Sequence, residues 1–243
     1  MPQLLVREPL WTQQSDDRGL LVTWRNPNTG RYILLGRLGM TAADSFEFKY
    51  FASVEDNKDF RPIPGFRDPK LTYTSTVMFP FFSGRLMGSK RPDRPEWLSN
   101  LGLDADAAPF EILGRSFGHR VADTYELFRE PDLDLTAQTV TFVVPVHGLR
   151  HQDQAVLNSV NSGEFLEGTP LHVVPEEENP VDPRARQLLT TTGQRLGYVP
   201  SPVLDYLAML GFESAPATAA IEHINPEHVG HHLRVIVKVA WNV

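Results

Sequence analysis

The sequence predicts an α+β first module, an antiparallel meander plus short helices, followed by a mainly-β small barrel with one or two short helices. Three observations carry this expectation. Residues 19–52 alternate apolar and polar side chains with a period of two, residues 78–113 hold aromatic and leucine-rich runs, and residues 138–243 open and close on valine-rich runs. A chain of 243 residues with 17 Gly and 20 Pro fits two modest domains built of short elements, expected at 1–135 and 136–243.

The elements follow in order. GLLVTWR, a turn at Asn26-Pro27-Asn28-Thr29-Gly30, RYILLGRLG and SFEFKYF form the meander, with Phe46, Phe48 and Tyr50 on one face. From 53 to 76, Pro62, Pro64, Gly65 and Pro69 among charges read as a long loop. Helix is expected from Met78 through Leu86, and again through APFEILGR with Asp106 as its cap, before glycines 114 and 118 end it. A strand near VADTYELF closes this half, and Pro131-Asp132-Leu133-Asp134 reads as a linker. Beyond it come strands in TVTFVVPVHGL, GTPLHVV and LRVIVKVAW, a hairpin in RQLLTTTGQRLGYVP turning at Thr192-Gly193, and a helix after Pro202.

Composition narrows the chemistry. With 23 basic and 30 acidic residues, a net charge of −7 and 41% hydrophobic residues, the chain reads as globular and soluble. The lack of cysteine excludes disulfides, thiolate zinc sites, iron–sulfur clusters and a cysteine nucleophile. Charges interrupt every apolar run, so no membrane span is expected, and MPQLLVREPLW lacks the order of a signal peptide, giving an expectation of an unprocessed cytoplasmic protein. Residues 136–243 hold only 6 basic against 11 acidic side chains, too acidic for a broad phosphate-binding surface. The basic concentration lies in Arg61, Arg67, Lys70, Arg85, Lys90, Arg91 and Arg94, facing only Asp68 and Asp93 across that stretch, and marks a candidate surface for an acidic partner.

Two patterns carry enzymatic chemistry on paper. Gly114-Arg115-Ser116-Phe117-Gly118 matches a nucleophile-elbow pattern, but helix precedes it and strand follows, the reverse of what such a serine requires. His223, His228, His231 and His232 lie near Glu222 and Glu227, but Asn225-Pro226 and Gly230 break any compact ligand spacing. Walker-type and kinase motifs are absent. The expectation is a protein without catalytic residues, metal or cofactor.

The order Val146-His147-Gly148-Leu149-Arg150-His151, then Asn179-Pro180-Val181-Asp182, then Leu196-Gly197-Tyr198-Val199-Pro200 before a helix resembles the HIRAN domain over about residues 138–243. The resemblance implies an OB-like barrel that binds the 3′ end of single-stranded DNA. It implies a backbone contact from Arg150, terminal-nucleotide contacts from Asn179 and Asp182, a pocket position at Tyr198, and Gly148, Leu149, His151 and Ser201 around them. Where the family carries stacking aromatics, this chain carries His151, Gln152 and Val181, and Ser201 stands for a lysine. Stacking is worth roughly 1–3 kcal/mol per base, so these exchanges bear directly on affinity.

Residues 18–130 are similar to the N-terminal subdomain of HipA-type kinases, carried by Phe81-Phe82, Leu98, Leu101-Gly102-Leu103, Phe110, Leu113 and Gly118. In related toxin–antitoxin systems this subdomain is a separate HipS-like antitoxin that binds a truncated kinase. The resemblance implies a HipA-like Ser/Thr kinase as protein partner, with Arg85, Lys90, Arg91 and Arg94 as contact candidates. The expected function is thus a non-catalytic two-module protein that regulates such a kinase and binds DNA through its HIRAN-like half. The alternative is a free-standing binder of single-stranded DNA 3′ ends in repair or phage defence.

Overall fold

The computed structural model describes residues 18–41, 45–134 and 136–242. The N-terminal reading and the boundary position 135 lie outside them. The chain is mostly β, with two antiparallel sheets and a few short helices. Among the described residues no helix is long and apolar enough to cross a membrane.

The first sheet contains β1 (Arg18–Arg25), β2 (Tyr32–Met40), β3 (Phe46–Tyr50), β4 (Thr72–Ser75) and β5 (Tyr125–Arg129) in the order β4-β3-β2-β1-β5. The meander turns where expected, with the Asn26 side chain accepting from the Asn28 N–H at 2.9 Å. Strand β4 falls inside the expected loop. It is a short, largely exposed edge whose Tyr73 hydroxyl donates to the Asp68 carbonyl at 3.0 Å, and the prolines before it mask its alternation.

Helices α1 (Pro80–Ser83), α2 (Arg94–Asn100) and α3 (Pro109–Arg115) are shorter than an α+β module implies. Each places proline in its first turn, where no N–H is needed and φ is preset. Asp106 caps none of them. Ala108, held extended by the following proline, is the residue at the start of α3.

The second sheet contains β6 (Asp132–Asp134), β7 (Thr139–Pro145), β8 (Pro170–Pro175), β9 (Arg186–Leu189), β10 (Arg195–Tyr198), β11 (Ala217–Ile224) and β12 (Val235–Asn242), with α4 (Gln154–Asn161) and α5 (Ser201–Met209) in its connections. Its order is β10-β9-β8-β11-β12-β7-β6. The expected linker is therefore strand β6: Leu133 pairs with Val140 and packs against the core while its flanking aspartates face outward. A bridge between His147 and Tyr198 joins the end of β7 to β10 and closes six strands into a barrel.

Alternation along the first sheet decides how the halves meet. Leu20, Val22, Leu35 and Leu127 enter a core with Phe48, Phe82, Phe110 and Leu113. Their neighbours Leu21, Leu34 and Phe128 face the other way, into a core shared with Val140, Val144, Val203, Leu207, Val237 and Trp241. Both faces of this sheet are thereby removed from water, at about 1.5–3 kcal/mol for each large aliphatic or aromatic side chain buried. Across the same junction, Tyr206 of α5 donates to Glu130 at 2.5 Å, and Arg37 of β2 donates to the other Glu130 oxygen at 2.8 Å.

Candidate nucleic-acid interface

The site grows from the barrel closure. His147 and Tyr198 exchange both backbone hydrogen bonds, at 3.0 and 2.9 Å. Gly197 lies at φ +154°, and a Cβ there would sit 2.4 Å from the His147 carbonyl oxygen. Beyond the bridge, Gly148 at φ 77° starts a 3₁₀ turn, Leu149–His151. Leu149 plugs this turn into the core at 2% exposure, leaving Arg150 and His151 in solvent. The Arg150 Nε donates to His151 Nε2 at 3.0 Å, and Arg150 has no carboxylate partner among the described residues.

The Asn179–Asp182 turn lies beside it. Asn179 Oδ1 accepts from the Val181 and Asp182 N–H groups at 2.9 and 3.0 Å, while its Nδ2 donates to Glu176. Asp182 Oδ1 accepts from the Arg184 N–H at 3.0 Å and lies 3.5 Å from the Arg184 guanidinium, which also reaches Asp205 of α5 at 2.5 Å. Both residues therefore organise the turn itself.

Arg195 of β10 joins the segments. Its Nη1 donates to the Tyr198 hydroxyl at 2.8 Å and lies 3.5 Å from Glu176, and its Nε donates to Gln152 at 3.0 Å. Gln152 in turn donates to the Gly148 carbonyl at 2.9 Å. One network thus connects the turn after β7, the Asn179 turn and the end of β10. The Asn179 amide holds the Glu176 carboxyl below its usual range, with Tyr198, Gln187 and Arg195 adding to this. Burial, then Glu176, raises the Tyr198 phenol.

Four of the 6 basic side chains beyond residue 136, namely Arg150, Arg184, Arg186 and Arg195, lie on β9, β10 and the flanking turns. The same segments carry Glu176, Glu177, Glu178 and Asp182, and Arg184 and Arg195 are ion-paired there. Val181 offers an exposed aliphatic surface, 58% accessible, where the family resemblance implied an aromatic one. Ser201 opens α5 behind Tyr198 and is half-buried.

Gly148, Arg150, His151 and Tyr198 are thus brought together, and Asn179 joins them through Glu176. Leu149 is a core residue rather than a surface contact. Arg195 and Glu176 escaped the sequence reading, and Gln152 entered it only as a replacement for a stacking aromatic. Their signal was positional: Arg195 stands three residues before Tyr198, and Glu176 three before Asn179.

Of the four expected partner contacts, Arg85 does not reach the surface. Arg85 is buried, paired twice with Asp123 at 3.1 and 2.8 Å, donating to the Gly118 carbonyl at 2.8 Å and stacked on the Phe81 ring at 4.4 Å. Arg91 is paired with Asp93 at 2.6 Å, and Arg94 donates to the Met87 carbonyl at 2.6 Å. Lys90 is exposed. Ser116 is buried at 5% exposure, and its Oγ accepts from the Gly118 N–H at 3.3 Å in the turn that ends α3.

The histidines diverge: His223 meets Glu167 at 2.7 Å, His228 meets Glu96 at 3.3 Å, and His232 stacks on His119 with ring centroids 4.0 Å apart. Among the described residues, no three His, Asp or Glu side chains are arranged to hold a metal ion. Burial, and then His119, push the His232 imidazole down from 6.5 to about 4. The unfolded chain takes up this proton near 6.5 and the folded chain only near 4, so the stability from this packing is complete above 6.5 and is lost as pH falls toward 4. Thermal unfolding followed from pH 7.5 to 4.5 should show Tm falling, and His232→Phe should shrink that fall. An equal fall in the variant would assign the acid sensitivity elsewhere.

No family model and no curated protein matches this chain. Among solved structures, a protein from Lactobacillus plantarum superposes with a TM-score of 0.33 at 15% identity, covering 42% of this chain and 94% of that one. The HIRAN domain of human HLTF superposes with a TM-score of 0.28 at 14% identity, covering 42% of this chain and 72% of that domain.

Proposed function

We propose that the protein is a non-catalytic binder of single-stranded DNA that takes the strand at the barrel end formed by the Leu149–His151 turn, the Asn179–Asp182 turn and β10. The observation that carries this reading is the Arg195 network, which draws three short motifs far apart in sequence into one surface beside the exposed cation Arg150. Those motifs carry the HIRAN resemblance, and their co-location supports its functional implication. Affinity would come from Arg150 on the phosphate backbone, since guanidinium–phosphate contacts position a strand without reading its sequence. Val181 and the Tyr198 edge would supply limited base contact in place of full aromatic platforms, which sets the expected affinity low.

The 3′-end reading places Asp182 near the terminal hydroxyl. Because Asp182 Oδ1 already serves Arg184, its second oxygen would accept from that hydroxyl, with the Arg184 charge softening the repulsion of a 3′-phosphate. Only a modest preference for 3′-hydroxyl over 3′-phosphate is expected. The kinase-docking reading loses Arg85, which lies inside the first module, while Arg91 and Arg94 are engaged locally.

The test is fluorescence-anisotropy titration with a labelled oligo-dT at low salt. Wild type should bind, and Arg150→Glu should bind at least about tenfold more weakly, with the salt dependence shallower by about one ion. Equal affinities and equal slopes would overturn the assignment.

A further inference from the structure

A cleft of about 600 Å³ opens where the two halves meet, within the size range of small-molecule sites. The first module supplies one wall through Leu20 of β1, Phe110 of α3 and Phe117 just after it. The barrel supplies the other through Phe142 of β7, Ile236 of β12 and Leu233 just before that strand. All six are buried, so the floor is apolar and half of it is phenylalanine. The cleft shares no residue with the strand-binding surface.

Asn225, in the turn between β11 and β12, forms part of the wall and is 1% exposed. Its backbone N–H donates to the Arg234 carbonyl at 3.0 Å and its Nδ2 to the Leu233 carbonyl at 2.6 Å. A carbonyl can only accept, so the second bond fixes which way the amide faces. Its Oδ1 is left buried with no donor. Such an acceptor costs roughly 1–3 kcal/mol, which a ligand bringing an N–H or O–H would recover.

The mouth is charged. Glu111 of α3, Asp132 of β6 and Glu222 of β11 line it, all exposed and without an ion-pair partner among the described residues. A shallower recess beside it shares Gly102 and Glu111 and adds Asp104 and Asp106. The opposing cations are Arg115 and Arg129, while Glu130 is committed to Arg37 and Tyr206, and His223 to Glu167. Carboxylates thus outnumber guanidiniums at the mouth, and the field there draws cations inward. The phenylalanine floor below suits an aromatic ring.

We propose that this cleft is a binding site for a small aromatic amine. The ring lies on the phenylalanine floor, a ring N–H or O–H donates to Asn225 Oδ1, and the ammonium sits among Glu111, Asp132 and Glu222. Both halves supply walls, so an occupant ties them together and raises the stability of the whole chain. The proposal stands apart from the single-strand reading.

Isothermal titration calorimetry of the full chain with tryptamine tests it, because the indole N–H can only donate and the tail carries the positive charge. Ring-N-methylated tryptamine, which lacks that donor, should bind about tenfold more weakly. Indole propionate, with the tail charge reversed, should bind at least about tenfold more weakly. The double variant Asp132→Asn, Glu222→Gln changes exposed side chains, so it should keep its ligand-free Tm and lose about fivefold in tryptamine affinity. Val143→Trp, on the half-buried wall beside Phe142, should fill the cleft and abolish binding. Should either variant not fold, Glu111→Gln reads the same charge from the first module. Absence of saturable tryptamine binding, equal affinity for the amine and the acid, or affinity unchanged by the rim substitutions would each overturn the proposal. Binding that survives Val143→Trp would place the ligand elsewhere and overturn it too.

Discussion

Gly197→Ala is expected to destabilise the protein by about 3–5 kcal/mol and to abolish strand binding in whatever fraction folds. The added methyl would lie 2.4 Å from the His147 carbonyl oxygen and 2.4 Å from Val146 Cγ1, at a backbone φ of +154° that L side chains rarely adopt. Neither neighbour can yield cheaply. The carbonyl belongs to the bridge that closes the barrel, and Val146 is 2% exposed with its N–H bound to the Val235 carbonyl at 2.9 Å. Relief would require β10 to move away from β7, opening the barrel at the point where Arg150, Gln152 and Arg195 converge. Gly193→Ala is the control. It also lies at positive φ, 83°, but in open space at a hairpin turn, and should cost only about 1 kcal/mol. Urea unfolding of both variants measures the difference, and equal losses would show that the close approach at Gly197 relaxes without strain.

Glu130→Ala should cost about 1.5–3 kcal/mol, because it removes a carboxylate that accepts from both the buried Arg37 guanidinium and the Tyr206 hydroxyl. Arg37 and Glu130 have side chains only 5% and 9% exposed, and the Tyr206 hydroxyl meets the second oxygen at 2.5 Å. Burial and then Glu130 raise the Tyr206 phenol strongly, so it remains a donor throughout the working range. Tyr206→Phe should lose about 1–2 kcal/mol. A double-mutant cycle between positions 130 and 206 reports directly on coupling between β2 and β5 on one side and α5 on the other, and should give at least about 1 kcal/mol. A coupling near zero would mean that the shared apolar core alone holds the junction.

Strands with a clear two-residue period were legible in the sequence. Leu233 through Trp241 and Phe46 through Tyr50 alternate strongly enough to read alone, and Thr192-Gly193 marks a hairpin. Elements with small or mixed side chains were not. Strand β11 reads ATAAIEHI, whose alanines carry little strand signal, and α4 rests on Val156 and Val160, a single helical pair of poor helix formers. Strand β6 has one apolar residue between two aspartates, so pairing with β7 defines it more than its own sequence does.

The site was half legible for a related reason. Short motifs with glycine or proline mark turns, and turns are where Gly148, Asn179 and Tyr198 were found. Charge density says nothing about direction, however. Arg85 looked like part of a basic surface, yet its guanidinium turns inward to Asp123, 38 positions later in the sequence, while Arg195, isolated in its own stretch, becomes the hub of the network. Pairings that depend on tertiary approach cannot be read from local composition.

Single-stranded DNA is proposed to sit at the barrel end around Arg150 and Arg195, and amide hydrogen exchange with and without saturating oligo-dT tests that placement most directly. Protection is expected in peptides covering 147–152, 176–184 and 195–201, with no change across α1 and α2. Protection confined to residues 61–94, or absent from all three barrel segments under conditions where the oligonucleotide is bound, would contradict it.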